Sequence, residues 1–429
     1  MLIGGRAVQG IGAAGINVLV ETVVCDMVPL RQRGTYMSII FGIISLGTAL
    51  GPFFGGLIVT YSSWRWVFYM CLPVGGLALV MLYVFMHVNY NKADNLATKL
   101  GGLDWIGNLV FVAASCSVLL ALSWAGPLYP WSSVQVLVPL LLGLAGLGGF
   151  ILLESSSRLV PNPIMPLHLF SNRTSATTFV LTFFHTIVTL WQLYFLPVYF
   201  QGVLGATPSR SGVMLLPTVF FLVPFAIVGG LLLTKFGRYK PIIIVGFAVM
   251  VVGFGVFTLL DENSSTGAWV GFQAIESAGT GLVVPALLPA VMASLTEADT
   301  ALATSTWAFM RSFGMTWGLA VSAAVFNNRA DQLAGSGAIA DPAAAAMLQG
   351  GRAYGASTAQ FLDSLAPETR AQVVRVLAVS LQRVWQIGIP FAGVAFLFAF
   401  LLKEVPLRKE LESEFGMTEK EKKTKEVAV

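Results

Sequence analysis

The sequence predicts an all-α integral membrane protein with about eleven transmembrane helices. Of the 429 residues, 56% are hydrophobic and 11% are charged, and the mean hydropathy is +0.78, which is too apolar for a soluble fold. Crossing the hydrocarbon takes about 20 apolar residues. The chain contains eleven such runs, at approximately 2–25, 36–60, 65–87, 103–124, 134–153, 175–200, 211–234, 241–260, 268–293, 301–326 and 385–402. These runs are continuous and lack the alternation of barrel strands, so a helical bundle is predicted.

Basic residues concentrate in alternate loops, and this asymmetry predicts the orientation. Cytoplasmic loops are enriched in Lys and Arg. One set of loops holds nine of them, whereas the short loops on the other side hold only Arg65 and Arg210. The charged tail is therefore predicted in the cytoplasm and the N-terminus outside. Loop 296–299 is an exception, since it is predicted inside yet holds two acids and no base. The net charge of +4 reflects this topology and does not indicate nucleic-acid binding.

The first run carries polar residues on one face. At about 100° per residue, Arg6, Gln9, Asn17 and Glu21 form a single stripe. A charged side chain at mid-bilayer costs about 2.5–3.5 kcal/mol even on lenient scales. The stripe is therefore predicted to face a central pathway, and the alternative is a set of buried pairs that hold the bundle together. Residues 10–15 match G-x-G-x-x-G, but no strand precedes them, so nucleotide binding is not predicted.

The second run contains a glycine ladder interrupted by a proline. Gly47, Gly51 and Gly55 are spaced four residues apart, with Gly56 adjacent and Pro52 inside the run. Small residues at this spacing let a neighbouring backbone approach closely, and proline removes a backbone hydrogen bond and bends a helix. The pattern is typical of a moving transporter, and the alternative is a tight packing seam only.

On the sixth run, several polar residues share one face. His185 and Gln192 lie within about 100° of Thr182, Thr189 and Tyr199. This face is a candidate lining for a substrate cavity, and interhelical hydrogen bonding is the alternative.

The ninth and tenth runs repeat features of the first and second. Residues 6–12 align with 273–279, where Gln273 and Glu276 take the places of Arg6 and Gln9. The glycine ladder is echoed at Gly314 and Gly318, without the proline. Transporters are often built from related bundles. Gln273 and Glu276 are therefore predicted to face the central pathway from the opposite half, and Arg311 on the tenth run is a further candidate there. Under this pairing three back-half runs have no counterparts, and three preceding helices are expected.

These features predict the following organisation: 1–87, the remainder of an N-terminal bundle; 88–153, two central helices; 154–174, a cytoplasmic loop; 175–402, a C-terminal six-helix bundle with an outside loop at 327–384; and 403–429, a cytoplasmic tail. The amphipathic stretch 361–384 is expected to lie on the membrane surface. Three cysteines fall in or beside apolar runs, so neither a disulfide nor a metal site is expected.

Three motifs resemble those of the major facilitator superfamily, specifically its fourteen-span drug:proton antiporter branch in fungi. Arg6-x-x-Gln9-Gly10-x-Gly12 resembles the fourth-helix motif, whose arginine is implicated in proton transfer. The ladder with Pro52 resembles the antiporter signature of the fifth helix. A third motif is similar to the second-half cytoplasmic loop motif, with Thr234 in place of the usual acid; it consists of Gly230, Thr234, Lys235, Gly237, Arg238 and Lys240. The resemblance implies that the chain begins at the fourth helix.

The resemblance implies proton-coupled efflux of a small hydrophobic compound (a drug, toxin or secondary metabolite) by alternating access. Arg6 and Glu276 are then the candidates for proton coupling, and the proton gradient replaces any cofactor. The expected partners are the substrate and the lipid bilayer, without nucleic acid or nucleotide, and the protein is expected to be a monomer. The plasma membrane is the expected location and the vacuolar membrane the alternative.

Two other functions remain open. One is proton-coupled uptake of a metabolite such as a siderophore, and the other is a non-transporting membrane fragment or receptor. An enzyme is not expected, because no constellation of nucleophile, base and orienting group is visible. Asn263, in an Asn-Ser-Ser sequon of a loop predicted outside, is a glycosylation candidate.

Overall fold

The computed structural model describes residues 2–85, 104–126, 128–156, 160, 163–296 and 299–407. Within these ranges the regular structure is helical, apart from one isolated bridge between Ala125 and Tyr129. Predicted features at 86–103 and 408–429 lie outside the described residues.

The described residues at the front of the chain form six helices. They are α1 Leu2–Met27, α2 Leu30–Tyr61, α3 Trp66–Tyr69, α4 Cys71–Phe85, α5 Trp105–Trp124 and α6 Val134–Glu154. Helices α5 and α6 pack on each other and, through Phe111, against the back of the molecule; the Phe111 ring centroid lies 4.8 Å from that of Phe309 and 5.4 Å from that of Phe313. The two central helices are thereby fixed beside the C-terminal bundle.

The described residues at the back of the chain form ten α-helices, which follow a 3₁₀-helix at Leu167–Phe170. They are α7 Arg173–Gly202, α8 Pro208–Met214, α9 Leu216–Phe236, α10 Lys240–Phe257, α11 Thr266–Met292, α12 Thr300–Gly335, α13 Pro342–Leu348, α14 Ala353–Ala356, α15 Ala359–Asp363 and α16 Pro367–Ala399. Side-chain caps define several starts, because Asn172, Thr207 and Ser265 accept hydrogen bonds from backbone N–H groups of the first turn. Gly237 ends α9 with φ +68°, a left-handed conformation that favours glycine.

Nine helical segments of the described residues are long and apolar enough to cross a membrane. The other two predicted runs, 36–60 and 301–326, lie within α2 and α12, which have 32 and 36 residues. At 1.5 Å per residue both exceed the hydrocarbon thickness of about 30 Å. The helical membrane fold is therefore confirmed.

The core lies in the back half. Helices α7 and α11 are its most enclosed members, and the rings of Trp191, Trp307 and Trp385 are fully buried there. Helix α2 packs on α9 and α11, and α1 packs on α12, so the front group meets the back group along these contacts.

The predicted outside loop 327–384 is largely helical. Helix α12 continues to Gly335, α13 to α15 follow, and α16 begins at Pro367. The amphipathic pattern is real, but its apolar face packs on protein, since Val373, Leu377 and Leu381 are buried in the main core. The protein interior and a membrane surface both satisfy an apolar stripe, so the sequence pattern does not distinguish them.

Candidate functional site

A cavity of about 320 Å³ lies between the front and back groups of helices. Asn17 of α1 and Phe41 of α2 line one side; the opposite wall comes from α7, α9, α11 and α12 and includes His185, Gln192 and Arg311. Predicted lining residues from both halves therefore meet at one place. Apolar side chains form most of the remaining wall, as in pockets for small organic ligands.

An ion pair joins the two groups beside this cavity. The Arg311 Nη2 atom of α12 lies 2.7 Å from Glu21 Oε1 of α1, and the side chains are 16% and 2% exposed. The Arg311 guanidinium also lies over the rings of Trp307 and Phe41, 4.7 and 5.3 Å from their centroids. Such stacking adds a cation–π attraction to the pair. Glu21 of the front group thus has a cationic partner in the back group.

A hydrogen-bond network connects the predicted polar residues of α7 and α11. Gln192 Nε2 donates to Thr218 Oγ1 at 3.3 Å and to Ser277 Oγ at 3.1 Å. Thr218 Oγ1 in turn donates to Gln273 Oε1 at 2.8 Å. Gln192 and Thr218 line the cavity, whereas Gln273 lies behind them and is fully buried. Gln273 therefore supports the wall and is not itself part of the lining.

Glu276 also lies behind the wall. Thr280 Oγ1 donates to Glu276 Oε1 at 2.7 Å, and within the described part of the chain Glu276 Oε2 has no hydrogen-bond partner. Thr280 lines the cavity, and its carbonyl oxygen lies 3.4 Å from His185 Nε2. The backbone of α11 at Glu276 is covered by Gly253 of α10, where a Cβ atom would come within 2.6 Å of the Glu276 Cβ atom. Thr280 is thus the link between the carboxyl group and the cavity.

Arg6 and Gln9 do not share this cavity, contrary to the prediction for the stripe. They are exposed, and Arg6 Nη1 donates to Gln9 Oε1 on the same helix at 2.9 Å. Together they line an open hollow with Trp64 and Tyr69. Arg6 lies eleven residues from Asn17, or about 16 Å along the helix axis, so one stripe extends beyond one cavity.

The glycine ladder is not a packing seam within the described structure. A Cβ atom added at Gly47, Gly51 or Gly55 would meet nothing within 4 Å. Helix α2 instead contacts α9 near its other end, where a Cβ atom at Gly34 would come 2.6 Å from Leu233 Cδ2. Among the described residues, the close contact of α2 therefore lies near its start and not at the ladder. Pro52 lies within α2, whose backbone stays helical from Leu30 to Tyr61; the side-chain surroundings of Pro52 and Gly56 lie outside the described features.

The second copy of the glycine ladder, at Gly314 and Gly318, is the closely packed one. A Cβ atom at Gly314 would lie 2.6 Å from Phe183 O, and one at Gly318 would lie 2.9 Å from Ile187 Cα. These contacts bring α12 directly against α7. Among the described residues, the second copy of the glycine pattern therefore lies in a close helix contact and the first copy does not.

The cytoplasmic loop motif joins the two groups of helices. A Cβ atom at Gly230 would overlap Ser38 Oγ, and Ser38 donates to Ala226 O at 2.9 Å. Thr234, which replaces the usual acid, hydrogen-bonds Thr35 with an oxygen separation of 2.8 Å. The substitution thus keeps a polar contact between α9 and α2 without a charge.

The basic residues of this motif lie at the end of the bundle. Lys240 Nζ donates to the carbonyl oxygens of Phe400 and Leu402 at 3.0 and 2.6 Å. The Lys235 ammonium lies 5.6 Å from the ring centroid of Phe236, and the third basic residue, Arg238, borders an outer hollow there. Lys240 therefore binds the end of the last helix.

Two acids outside the spans on this side have shifted pKa values. Thr296 Oγ1 donates to Asp299 Oδ2 at 2.7 Å and His168 Nε2 lies 3.0 Å from Asp299 Oδ1; these hydrogen bonds hold the pKa of Asp299 below its usual value. Burial raises the pKa of Glu404, although the backbone N–H of Tyr239 donates to it at 3.1 Å. The loop before α7 is thereby attached to the start of α12.

Sequence reasoning missed three residues of this region. The side chain of Arg33 is buried; Nε donates to Val28 O at 2.9 Å and Nη1 donates to Met292 Sδ at 3.0 Å. Thr218 and Thr280 were also not singled out. The position of Thr280 four residues after Glu276 was an available signal, because residues at that spacing share a helix face.

Comparisons with known proteins agree with this architecture. Residues 1–319 match the sequence profile of the Major Facilitator Superfamily. The chain is 56% identical over 422 residues to the MFS-type transporter pydD of an Acremonium species, covering 98% of this chain and 73% of that protein. It is 45% identical over 420 residues both to the MFS-type efflux transporter ffsH of Aspergillus flavipes and to the Acurin A biosynthesis cluster MFS-type transporter of Aspergillus aculeatus. These alignments cover 98% and 97% of this chain, and 74% and 75% of the two relatives. The helical membrane bundle, the cavity between its two groups and these matches together show that the chain belongs to the major facilitator superfamily.

Proposed function

We propose that the chain exports a small hydrophobic compound in exchange for protons, by alternating access of the cavity to the two sides of the membrane. The observation that carries the proposal is the cavity itself, which lies between the two groups of helices and beside an ion pair that spans them. Rocking of one group against the other would expose such a cavity to each side in turn. The names of two relatives, an efflux transporter and a biosynthesis-cluster transporter, support efflux of a secondary metabolite.

The hydrogen-bond directions in the cavity indicate the substrate class. Thr182, Thr186 and Thr189 of α7 each donate their hydroxyl hydrogen to a carbonyl oxygen one turn earlier, at 2.8–2.9 Å. A hydroxyl group whose hydrogen is committed still accepts through its lone pairs. The Arg311 charge is meanwhile matched by Glu21. The wall therefore offers acceptors on an apolar background, and the favoured substrate is an uncharged apolar molecule with hydroxyl or N–H donors.

The proposed proton carrier is Glu276. Its side chain is fully buried, and no cationic group pairs with it among the described residues. A buried carboxyl group without a counter-charge is stabilised in its neutral form, so it takes up a proton unless the surroundings open to water. Thr280 connects Glu276 to the cavity wall, where substrate occupancy would be sensed. Arg6 remains a second proton-coupling prediction that rests on the family motif.

The Glu276→Gln variant is expected to lose at least about tenfold of its proton-driven export, because the amide cannot carry the proton while its shape preserves the bond from Thr280. Yeast cells preloaded with 7-amino-4-methylcoumarin, an uncharged apolar dye that carries N–H donors, would report export as loss of fluorescence, with and without a protonophore. Glu262→Gln, an exposed acid on the loop before α11, is the matched control. Protonophore-sensitive export by Glu276→Gln at the control rate would contradict the assignment, and faster dye entry would favour uptake.

We further propose a monomer in the plasma membrane, with Asn263 on the outer side. Asn263 is exposed in the turn between α10 and α11, as a glycosylation acceptor must be. Asn172 caps α7 on the opposite side. A glycosidase-sensitive mass shift that disappears in Asn263→Gln supports this orientation, and glycosylation at Asn172 would contradict it.

A further inference from the structure

A second large cleft lies apart from the central cavity. Its volume is about 610 Å³, it runs between the end of α5, the late part of α12 and the middle of α16, and it shares no lining residue with the cavity. We propose that this cleft binds one phospholipid, with the phosphate at two arginines and an acyl chain on the apolar wall.

The charge of the cleft fits a phosphate group. Arg329 of α12 and Arg383 of α16 both line it, and its lining includes no Asp or Glu. Each arginine uses Nη1 to donate to a glutamine three residues later, at 3.4 Å to Gln332 and 3.3 Å to Gln386. Neither has an acidic partner among the described residues. The remaining N–H groups are free to bind phosphate oxygens in the paired geometry that arginine favours.

The apolar side chains that line the cleft fit an acyl chain. Leu122 of α5, Val321 and Val325 of α12, and Val379 and Ile387 of α16 contribute apolar side chains to the same cleft. The cleft therefore combines two arginines with apolar side chains, which suits a phospholipid better than an inorganic anion.

The depth of the cleft also matches a lipid headgroup. Arg329 lies 29 residues after Thr300, the first residue of α12, or about 43 Å along the axis at 1.5 Å per residue. Val321 lies at about 32 Å by the same rule, close to the hydrocarbon thickness of about 30 Å. Arg329 is thus beyond the hydrocarbon, at headgroup level, while Val321 lies at the edge of the hydrocarbon. Trp131, an aromatic residue of the kind that marks this level, lines the same cleft.

A hydrogen bond and a close contact hold two helices of the cleft, α5 and α12, together. Asn328 Nδ2 donates to Ala125 O at 3.0 Å, which fastens the end of α5 to α12. Gly126 follows with φ +93°, and a Cβ atom there would overlap Asn328 Oδ1. Because these contacts hold α5 against α12, the cleft is a formed site and does not depend on lipid to bring its walls together.

The test is native mass spectrometry of the detergent-purified chain with added phosphatidylglycerol. Diacylglycerol with the same acyl chains and inorganic phosphate are the two comparison ligands. Each lost charge-assisted contact weakens binding by about tenfold or more. The Arg329→Gln/Arg383→Gln variant is therefore expected to retain phosphatidylglycerol at least tenfold less well than the wild-type chain. Arg210→Gln/Arg375→Gln, which removes two exposed arginines outside the cleft, is the matched control and is expected to bind like the wild type.

A second variant separates the contribution of the paired guanidinium donors from that of the positive charge. Arg329→Lys/Arg383→Lys keeps both charges but loses the paired donors, and it is expected to bind several-fold less well than the wild type. Equal retention of phosphatidylglycerol by the glutamine variant would overturn the proposal. Equally tight binding of diacylglycerol or of inorganic phosphate would also overturn it, because the site would then recognise only the acyl chains or only the phosphate.

Discussion

The Arg311→Gln variant is expected to lose about 3–5 kcal/mol of stability, since removing one partner of a buried ion pair leaves the other charge uncompensated. Glu21 would be that charge, and its side chain is only 2% exposed. The measurement is the thermal midpoint of the detergent-solubilised protein, followed by fluorescence-detected size exclusion. Arg210→Gln, on an exposed arginine, is the control substitution.

The reverse and double variants sharpen this prediction. Glu21→Gln is expected to cost less, because Arg311 is more exposed and keeps its contacts with Trp307 and Phe41. Combining Glu21→Gln with Arg311→Gln removes both charges, and stability should return to within about 1–2 kcal/mol of the wild type. A double variant no more stable than Arg311→Gln alone would show that the pair is not the source of the loss.

Export should not recover in that double variant. The ion pair crosses the boundary between the groups that must rock, so it stabilises the arrangement described above relative to one in which the groups have separated. Neutral side chains would pack similarly but would no longer bias that equilibrium. Stability restored together with full export of 7-amino-4-methylcoumarin would assign the pair a purely structural role.

Alanine at Gly314 or Gly318 is expected to destabilise the chain by about 1–3 kcal/mol, because an added methyl group would be forced into the backbone of α7. Alanine at Gly47 or Gly51 is expected to be neutral, or to stabilise by up to about 1 kcal/mol through its helix propensity, because nothing lies within 4 Å. The four single variants form a matched set, since they occupy equivalent places in the repeated pattern.

Thermal midpoints of these four variants, measured in the same detergent, would show whether only the second copy of the glycine ladder is closely packed. The expected order places both front variants at or above the wild type and both back variants below it. A loss at Gly51 equal to that at Gly318 would show that the front ladder is packed against a surface that the described residues do not include.

Composition and periodicity were sufficient for the class of fold. The apolar runs became helices with ends within a few residues of those expected for most of the chain, because a backbone in lipid must satisfy its own hydrogen bonds and a helix does so locally. The last two long helices were the exceptions, since α12 extends to Gly335 and not to 326, and the last helix begins at Pro367 and not at 385. Its first half is amphipathic and less apolar, and only the packing of Leu377 and Leu381 on the core shows that it joins the bundle.

The candidate site could likewise be predicted only in part from the sequence. Intramembrane charge alone marked Glu21, Glu276 and Arg311 as residues that needed partners, because isolated charges in hydrocarbon are costly. The sequence did not show that Glu21 pairs with Arg311 or that Glu276 lies behind the wall beside Thr280, since these relations join helices far apart in the chain.

By itself, then, the sequence determined that this protein is a helical membrane bundle, which polar residues its interior must accommodate, and that its halves share a pattern. Only the tertiary structure decided which copy of the glycine ladder is packed and where the cavity lies. It also decided that Arg6 is exposed while Glu21, on the same stripe, is buried beside Arg311. The physical reason is that apolar periodicity depends on each helix and its solvent, whereas close contacts depend on which helix is its neighbour.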